Sequence, residues 1–184
     1  SDFSAWNPKV YKTVLRPGLS GSDGRVILIA PGASPTLEWL YILEGDATAE
    51  GGAYNPFYDY QSAGGGVAAI GTFDGDDSFT MRHCVIAGNV ASQAYNASGG
   101  GVYLHYRDNT VLENNDIYSN TATLLYGQAL GLGGGLNISS SDDVRFDENA
   151  VHHNRATTGY GRGEGAGLRA SSSDTRISFS AAMV

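Results

Sequence analysis

One short pattern recurs four times between Ala63 and Leu168. Each copy is a glycine-rich triplet followed by an apolar residue and a short alternating stretch. The third glycine stands at positions 66, 101, 135 and 167, so the repeats are 35, 34 and 32 residues long. Self-similarity at this period is typical of a solenoid, in which each repeat packs against its neighbours. The copies are Gly64–Val67, Gly99–Val102, Gly133–Leu136 and Gly165–Leu168.

A second pattern has the same period, in Gly88–Ser92, Ser119–Thr123 and His153–Thr157, with a degenerate copy at Gly45–Thr48. Aligning the repeats on it predicts three short strands per period, with a variable loop before the next glycine triplet. The connections are too short for crossover helices, so each strand is expected to pair with its equivalent one turn along. The sequence therefore predicts an all-β, single-stranded parallel β-helix of about five coils over residues 24–184. Residues 1–23 are expected to form an N-terminal cap or docking segment with a partial first coil.

Alternation assigns the faces of these strands. Val102 and Leu104 are predicted to point inward, and Tyr103 and His105 outward. The same alternation in the next coil places Asn137 outward. A row of branched apolar residues is predicted in the core of the third strand: Leu43, Ile86, Ile117 and Val151.

Asparagines recur at equivalent positions in two rows. Asparagine tolerates left-handed backbone conformations, and amides stacked about 4.8 Å apart can donate to and accept from one another along the axis. We therefore predict two structural ladders, one of Asn89, Asn120 and Asn154 and one of Asn115 and Asn149. Cys84 takes the Asn115 position in the preceding coil, which predicts a buried structural cysteine rather than a nucleophile.

The combination of glycine triplets with an apolar-x-x-Asn pattern carries a resemblance to a known family. It is seen at Ile86–Asn89, Leu112–Asn115 and Phe146–Asn149. It resembles the repeats of polymorphic outer-membrane proteins and related bacterial secreted right-handed β-helix proteins. The resemblance implies a right-handed solenoid that is secreted or displayed at the cell surface. Proteins of this kind include adhesins and surface structural proteins.

Composition excludes several classes of partner and site. The net charge is −8 with only 11 Lys and Arg, and no basic stripe occurs, so nucleic acid is not expected as a partner. A single cysteine forms no internal disulfide, and no Cys/His spacing for zinc occurs. No apolar run approaches the roughly 20 residues of a membrane span.

Acidic residues recur at one predicted turn of successive coils: Asp74, Asp76, Asp77, Asp108, Asp142, Asp143 and Asp174. Two carboxylates about 5 to 10 Å apart beside a cleft could hydrolyse a glycosidic bond, and a carboxylate column could bind calcium weakly. Recurrence in every coil favours a structural role, because Asp side chains satisfy turn backbone groups. We therefore predict no catalytic residue.

The four histidines, His83, His105, His152 and His153, fall at scattered outward or turn positions. The last two alternate faces on a strand and are not expected to share a metal. The sequence predicts neither a metal site nor a cofactor.

Tyrosines recur in the variable loops, at Tyr54, Tyr58, Tyr60, Tyr95, Tyr126 and Tyr160. Equivalent loops of successive coils lie side by side, so the rings are expected either to form an exposed strip or to fold onto their own solenoid. An exposed strip would suit stacking on sugars or contact with a neighbouring molecule. Asn96 and Asn137 match the N-glycosylation pattern, and both are predicted to be accessible.

A solenoid exposes unpaired strand edges at its ends, and the stretch 175–184 is predicted to be strands that nothing covers. We therefore expect a fragment of a longer β-helix or a head-to-tail assembly. The function predicted is that of a non-enzymatic extracellular or cell-surface structural or adhesive protein. Its expected partners are other copies of itself and possible glycans. The alternatives are a carbohydrate-active enzyme that uses the acidic turns and a glycan-binding module that uses the tyrosines.

Overall fold

The computed structural model describes residues 12–18, 24–48, 61–73, 75–171 and 177–180. The strands before the first complete coil are β1 (Thr13–Leu15), β2 (Ile27–Ile29), β3 (Thr36–Glu38) and β4 (Leu40–Leu43). The first complete coil contains β5 (Gln61–Ala63), β6 (Val67–Ile70), β7 (Thr80–Arg82), β8 (Val85–Ala87) and β9 (Val90–Ser92). The second contains β10 (Asn96–Ser98), β11 (Val102–His105), β12 (Val111–Glu113), β13 (Asp116–Tyr118) and β14 (Thr121–Thr123). The third contains β15 (Leu130–Leu132), β16 (Leu136–Ser139), β17 (Val144–Asp147), β18 (Ala150–His152) and β19 (Arg155–Thr157). It is followed by β20 (Arg162–Glu164), β21 (Leu168–Ser171) and β22 (Ile177–Ser180).

These strands form five parallel sheets, because each strand pairs with its equivalent one coil away. Sheet I is β2-β6-β11-β16-β21, sheet II is β3-β7-β12-β17-β22, and sheet III is β1-β4-β8-β13-β18. Sheet IV is β9-β14-β19, and sheet V is β5-β10-β15-β20. The parallel β-helix is thus confirmed, whereas the prediction of three strands per coil is wrong. The predicted variable loop contains the strands of sheets IV and V. Within the described residues, three coils carry all five strands, against the prediction of about five coils, and further strands of the same sheets flank them.

Sheets I, II and III enclose one apolar core. Val67, Val102 and Leu136 stand in register on sheet I and are fully buried. On sheet III the core row is Ile42, Ile86, Ile117 and Val151. The predicted position of Leu43 in this row is wrong by one residue, since Leu43 pairs with Ala87. Branched side chains repeated at one position fill the space between coils about 4.8 Å apart, which explains the periodic sequence.

The first asparagine ladder lies at the corner after sheet III. Asn89 donates from its backbone N and from Nδ2 to Oδ1 of Asn120, at 3.0 and 2.9 Å. Asn120 donates in the same way to Oδ1 of Asn154, at 2.9 and 3.1 Å. In the incomplete coil before Asn89 the position belongs to Gly45, whose backbone N donates to Asn89 Oδ1 at 2.8 Å. Each rung therefore satisfies the backbone donor of the preceding rung.

The second ladder lies at the corner between sheets II and III. Asn115 donates from N and Nδ2 to Oδ1 of Asn149, at 2.9 and 2.8 Å. Cys84 completes this ladder, because its backbone N donates to Asn115 Oδ1 at 3.0 Å. The buried thiol lies 3.2 Å from the Arg82 carbonyl oxygen and 3.6 Å from that of Leu37. Burial raises the pKa of the Cys84 thiol to about 11, so the group is neutral at physiological pH.

The residue before each ladder position, and not the ladder asparagine, adopts the left-handed backbone conformation. Its φ lies between 52° and 55° at the second ladder's corner and between 53° and 68° at the first ladder's corner in the complete coils. The chain turns at this residue, and the next side chain contacts its equivalent in the neighbouring coil. These residues are His83, Asn114, Glu148, Gly88, Ser119 and His153.

In the N-terminal segment, β1 pairs in parallel with β4 and extends sheet III by one strand. Residues 1–11 and 19–23 lie outside the described residues. The division into a cap at 1–23 and a solenoid at 24–184 therefore stays a prediction.

Candidate functional site

Sheets IV and V form a thin two-layered extension beside the main core. Sheet IV contributes buried alanines at equivalent positions, such as Ala122 and Ala156. Opposite them, sheet V carries Ala97 and Gly131 in register. A Cβ built on Gly131 would stand 1.8 Å from the Ala156 carbonyl oxygen, so the layers approach too closely for a larger residue. The extension is held by small-residue packing, and it carries the loops that join sheet IV to sheet V.

Three of the predicted tyrosines lie on these loops, and we call Tyr95, Tyr126 and Tyr160 the tyrosine edge. Their exposed fractions are 45%, 73% and 85%. The rings of Tyr126 and Tyr160 meet edge to face, with centroids 5.5 Å apart and planes at 75°. A hydrogen bond with the Tyr160 side chain raises the pKa of Tyr126. The structure thus exposes these rings instead of folding them onto the solenoid. The remaining predicted members, Tyr54, Tyr58 and Tyr60, lie outside the described residues.

A shallow groove of about 380 Å³ adjoins the tyrosine edge. Tyr160 forms part of its wall, and Gln128 and Arg162 supply polar groups. The Arg162 guanidinium pairs with Glu164 at 2.8 Å and is largely exposed. The groove therefore combines an aromatic ring with an amide and a cation that can bond to ligand oxygens.

The two glycosylation candidates differ in accessibility. Asn96 lines the groove beside the tyrosine edge and is half-buried, with its Oδ1 accepting from the backbone N of Leu130 at 2.8 Å. Asn137 is only 2% exposed, and Arg169 Nη1 donates to its Oδ1 at 3.4 Å. The predicted accessibility of Asn137 is therefore wrong, because a glycan has no room at that position in the folded chain.

Asn137 is one of several residues on the outer face of sheet I that were predicted to face outward but are buried. Tyr103 and His105 lie on the predicted outer face but are also buried. The cause is the glycine triplet, which folds sheet V back against this face. A Cβ on Gly99 (φ 62°) would stand 2.3 Å from the Val102 carbonyl oxygen. Burial raises the pKa of Tyr103 to about 12 and lowers that of His105.

The acidic turns satisfy backbone donors. Both oxygens of Asp77 accept hydrogen bonds, from Gly32 N at 2.9 Å and from Thr72 N at 2.8 Å. Burial opposes ionisation of Asp77, but these bonds and the Arg107 charge leave its pKa below the usual value. Asp108 accepts from the backbone N of Asp142 at 2.7 Å. Asp74 and Asp174 lie outside the described residues.

Arg107 is a buried structural residue that the sequence analysis missed. It is fully buried, and its Nη2 donates to the carbonyl oxygens of Ile29, Ala30 and Ile70 at 3.2, 2.8 and 2.6 Å. The side chain thus joins its own coil to the two preceding coils. A lone arginine in a repeat gives no periodic signal, so its role could not be deduced from spacing.

An aromatic groove at the corner between sheets II and III was also missed. Trp39 and His83 stack with centroids 4.1 Å apart and planes at 12°. With Tyr41 and Asp116 they line a groove of about 440 Å³. Trp39 and His83 are left-handed residues one coil apart, with φ of 59° and 53°. Aligning the coils on the second ladder places Trp39 and His83 at the same turn position, and this alignment could have revealed that their rings stack.

His152 and His153 do not point apart as the alternation predicted. Their Nδ1 atoms are 2.7 Å apart. The alternation ends at His152, the last residue of β18, because His153 occupies the left-handed turn position (φ 54°). In the described part of the chain, no group of three or more His, Cys, Asp or Glu side chains is placed to hold a metal ion.

Comparison with known proteins bears on the fold. Residues 41–180, which make up 140 of the 184 residues, match the family described as right-handed beta helix region. The chain belongs to the right-handed β-helix family. Neither the curated proteins nor the solved structures include a match. Within the described residues, no helix is long and apolar enough to cross a bilayer.

Proposed function

We propose that this β-helix protein is a non-enzymatic structural or adhesive protein that binds glycans at the tyrosine edge. The observation that carries the proposal is the exposure of Tyr126 and Tyr160, held in mutual contact at the rim of the extension. Contiguous exposed apolar groups often mark an interaction site, and these two rings are contiguous because they contact each other.

The chemistry around the rings suits a carbohydrate. The apolar C–H faces of a pyranose can stack on a tyrosine ring. Its hydroxyl groups can bond to Gln128 and to the N–H groups of Arg162 in the adjoining groove. With a net charge of −8 on the whole chain, neutral glycans are favoured over strongly acidic ones.

The acidic turns support a non-enzymatic role. Asp77 is buried with both oxygens hydrogen-bonded, and Asp108 accepts from the next coil. A glycosidase would need two carboxylates flanking an open cleft. The competing proposal, a carbohydrate-active enzyme, rests on Asp108 and Asp142 because both are partly exposed.

A panel of neutral and acidic polysaccharides tests both proposals when binding and release of reducing ends are measured together. We expect saturable binding without new reducing ends, and loss of binding in Tyr126→Ala and Tyr160→Ala. Tyr118→Ala is the matched control, because Tyr118 lies on sheet III away from the edge. Cleavage that disappears in Asp108→Asn and Asp142→Asn would replace the adhesive proposal with the enzymatic one.

We further propose a bacterial, extracellular or cell-surface location and end-to-end association of coils. Support comes from the resemblance to surface-displayed repeats and from the uniform register of the parallel sheets, which a second copy could continue. Light scattering over a range of protein concentrations tests the association. A mass that stays monomeric throughout would contradict it.

A further inference from the structure

Two adjacent histidines present converging nitrogen atoms on the outer surface of sheet III. The Nδ1 atoms of His152 and His153 are 2.7 Å apart, and the ring planes cross at 83°. Both residues are exposed, so solvent and ions reach the pair. Adjacent residues rarely converge in this way on a strand, because successive side chains point to opposite faces. Here the left-handed backbone of His153 places both rings on one side.

The orientation of His152 is fixed by its neighbours on β13. Nε2 of His152 lies 2.9 Å from Oδ1 of Asp116, and the ring stacks on Tyr118 with centroids 5.2 Å apart and planes at 5°. An ionised carboxylate only accepts, so Nε2 carries the proton and Nδ1 of the neutral ring keeps its lone pair. A carboxylate behind a histidine is the usual second partner of a metal-binding imidazole.

From this geometry we propose that His152 and His153 bind a divalent transition-metal ion through their Nδ1 atoms, with Asp116 as the positioning residue. Two imidazole nitrogens at about 2.0–2.1 Å from a common ion lie about 3 Å apart when they occupy neighbouring coordination positions. At 2.7 Å the pair is hydrogen-bonded, with Nδ1–H of His153 donating to Nδ1 of His152. Metal binding replaces this hydrogen bond: the proton of His153 moves to its Nε2, and the two Nδ1 atoms separate slightly around the ion. Water completes the coordination.

The metal that fits is one that prefers imidazole. Copper(II), nickel(II) and zinc(II) accept such ligands, and copper(II) binds most tightly at a given nitrogen site. Calcium and magnesium prefer oxygen ligands and are not expected here. Arg155 lines the same surface groove as His153, and its positive charge weakens the binding of any cation.

Calorimetric titration with Cu²⁺ tests the proposal, with electron paramagnetic resonance to detect nitrogen ligands. The informative variant is His153→Gly, because glycine suits a φ of 54° and Gly88 occupies the equivalent turn one residue before the first ladder, so the variant is expected to fold. Asp116→Ala tests the positioning role. His83→Ala is the matched control, since His83 is a left-handed turn histidine of the other ladder corner.

We expect one Cu²⁺ per chain in the wild type and in His83→Ala, with a two-nitrogen spectrum. We expect loss of this site in His153→Gly and an affinity about 10- to 100-fold lower in Asp116→Ala. Failure of the wild type to bind Cu²⁺ in stoichiometric titration would overturn the proposal. Equal binding by the wild type and His153→Gly would also overturn it. Neither result bears on the glycan proposal, because the tyrosine edge shares no residue with this pair.

Discussion

Replacement of Asn120 by alanine removes the middle rung of the first ladder. Oδ1 of Asn120 is the acceptor for the backbone N of Asn89, and Nδ2 donates to the carbonyl oxygen of Ile86 at 2.9 Å. Asn89, Asn120 and Ile86 are all fully buried, so water cannot replace these bonds. The substitution therefore leaves two buried donor hydrogens of Asn89, on its backbone N and on Nδ2, without the acceptor on Asn120. It also removes the Nδ2 donor from the carbonyl oxygen of Ile86 and from Oδ1 of Asn154.

Each buried polar group left without a partner costs about 1–3 kcal/mol, so Asn120→Ala is expected to lower the free energy of unfolding by about 2–6 kcal/mol. Asn154→Ala removes the equivalent bonds to Asn120 and Ile117, but Asn154 itself is 9% exposed, so water can enter the vacated position in part. Its loss is expected to be smaller. Which of the two variants loses more free energy of unfolding is a sharper test than either value alone.

Urea unfolding followed by circular dichroism measures these free energies, and an unchanged m-value shows that the extent of unfolding is preserved. Gln128→Ala is the control, because Gln128 is exposed and should stay within about 0.5 kcal/mol of the wild type. A stability of Asn120→Ala within the same margin would refute the structural role of the ladder. Equal losses in Asn120→Ala and Asn154→Ala would refute the argument from burial.

Four other residues provide tests of the packing and of the buried ionisable groups. Arg107→Met should lower the free energy of unfolding by about 3–5 kcal/mol, because it leaves Asp77 buried without its cation and several carbonyls without a donor. Since the pKa of Asp77 is lowered in the folded chain, its ionised carboxylate adds to the free energy of unfolding above pH about 4, and this contribution is lost as the pH falls. Acid unfolding of the wild type and of Asp77→Asn can be compared to measure it. The pKa of Cys84 is raised in the folded chain, so the neutral thiol adds to the free energy of unfolding below pH about 9. This contribution to stability is lost as the pH rises through about 11. Ellman's reagent at pH 8 should label Cys84 only after urea is added, and rapid labelling of the folded chain would contradict its burial. Gly131→Ala should lower the thermal midpoint because its Cβ meets a backbone carbonyl, whereas Gly18→Ala, with open space around it, should leave the midpoint unchanged.

The sequence was sufficient to predict the parallel coils and both ladders because these depend on a repeated physical requirement. Asn89 and Asn120 recur since each rung must satisfy the same buried donors. Cys84 could be placed by alignment alone, since it occupies a ladder position between neighbours of known spacing. Periodicity reveals such residues because the same contacts are made in every coil.

Features that break the period could not be predicted in this way. Arg107 has no equivalent in other coils, and its carbonyl partners lie 29 to 78 residues away. The strands of sheets IV and V were assigned to a loop because alanine and glycine, as at Ala122 and Gly131, give no apolar alternation. The His152–His153 contact depends on a single left-handed residue, which a strand pattern does not indicate.

The same limitation applies to the outer faces. Alternation correctly separates Val102 from Tyr103, but it does not say what covers the outward residue. Sheet V covers Tyr103, whereas Tyr126 and Tyr160 remain exposed beyond the extension. Exposure of a side chain in a solenoid therefore depends on the path of the irregular segments between the main sheets.

The most direct test of the proposed glycan-binding function is NMR mapping of the bound oligosaccharide on the isotope-labelled protein. We expect shift changes at Tyr126, Tyr160 and Gln128, with transferred magnetisation from the tyrosine rings to the sugar C–H protons. Shift changes centred on Trp39 and His83 would place the ligand in the aromatic groove and contradict the assignment to the tyrosine edge. The absence of shift changes across the panel of glycans would contradict glycan binding itself.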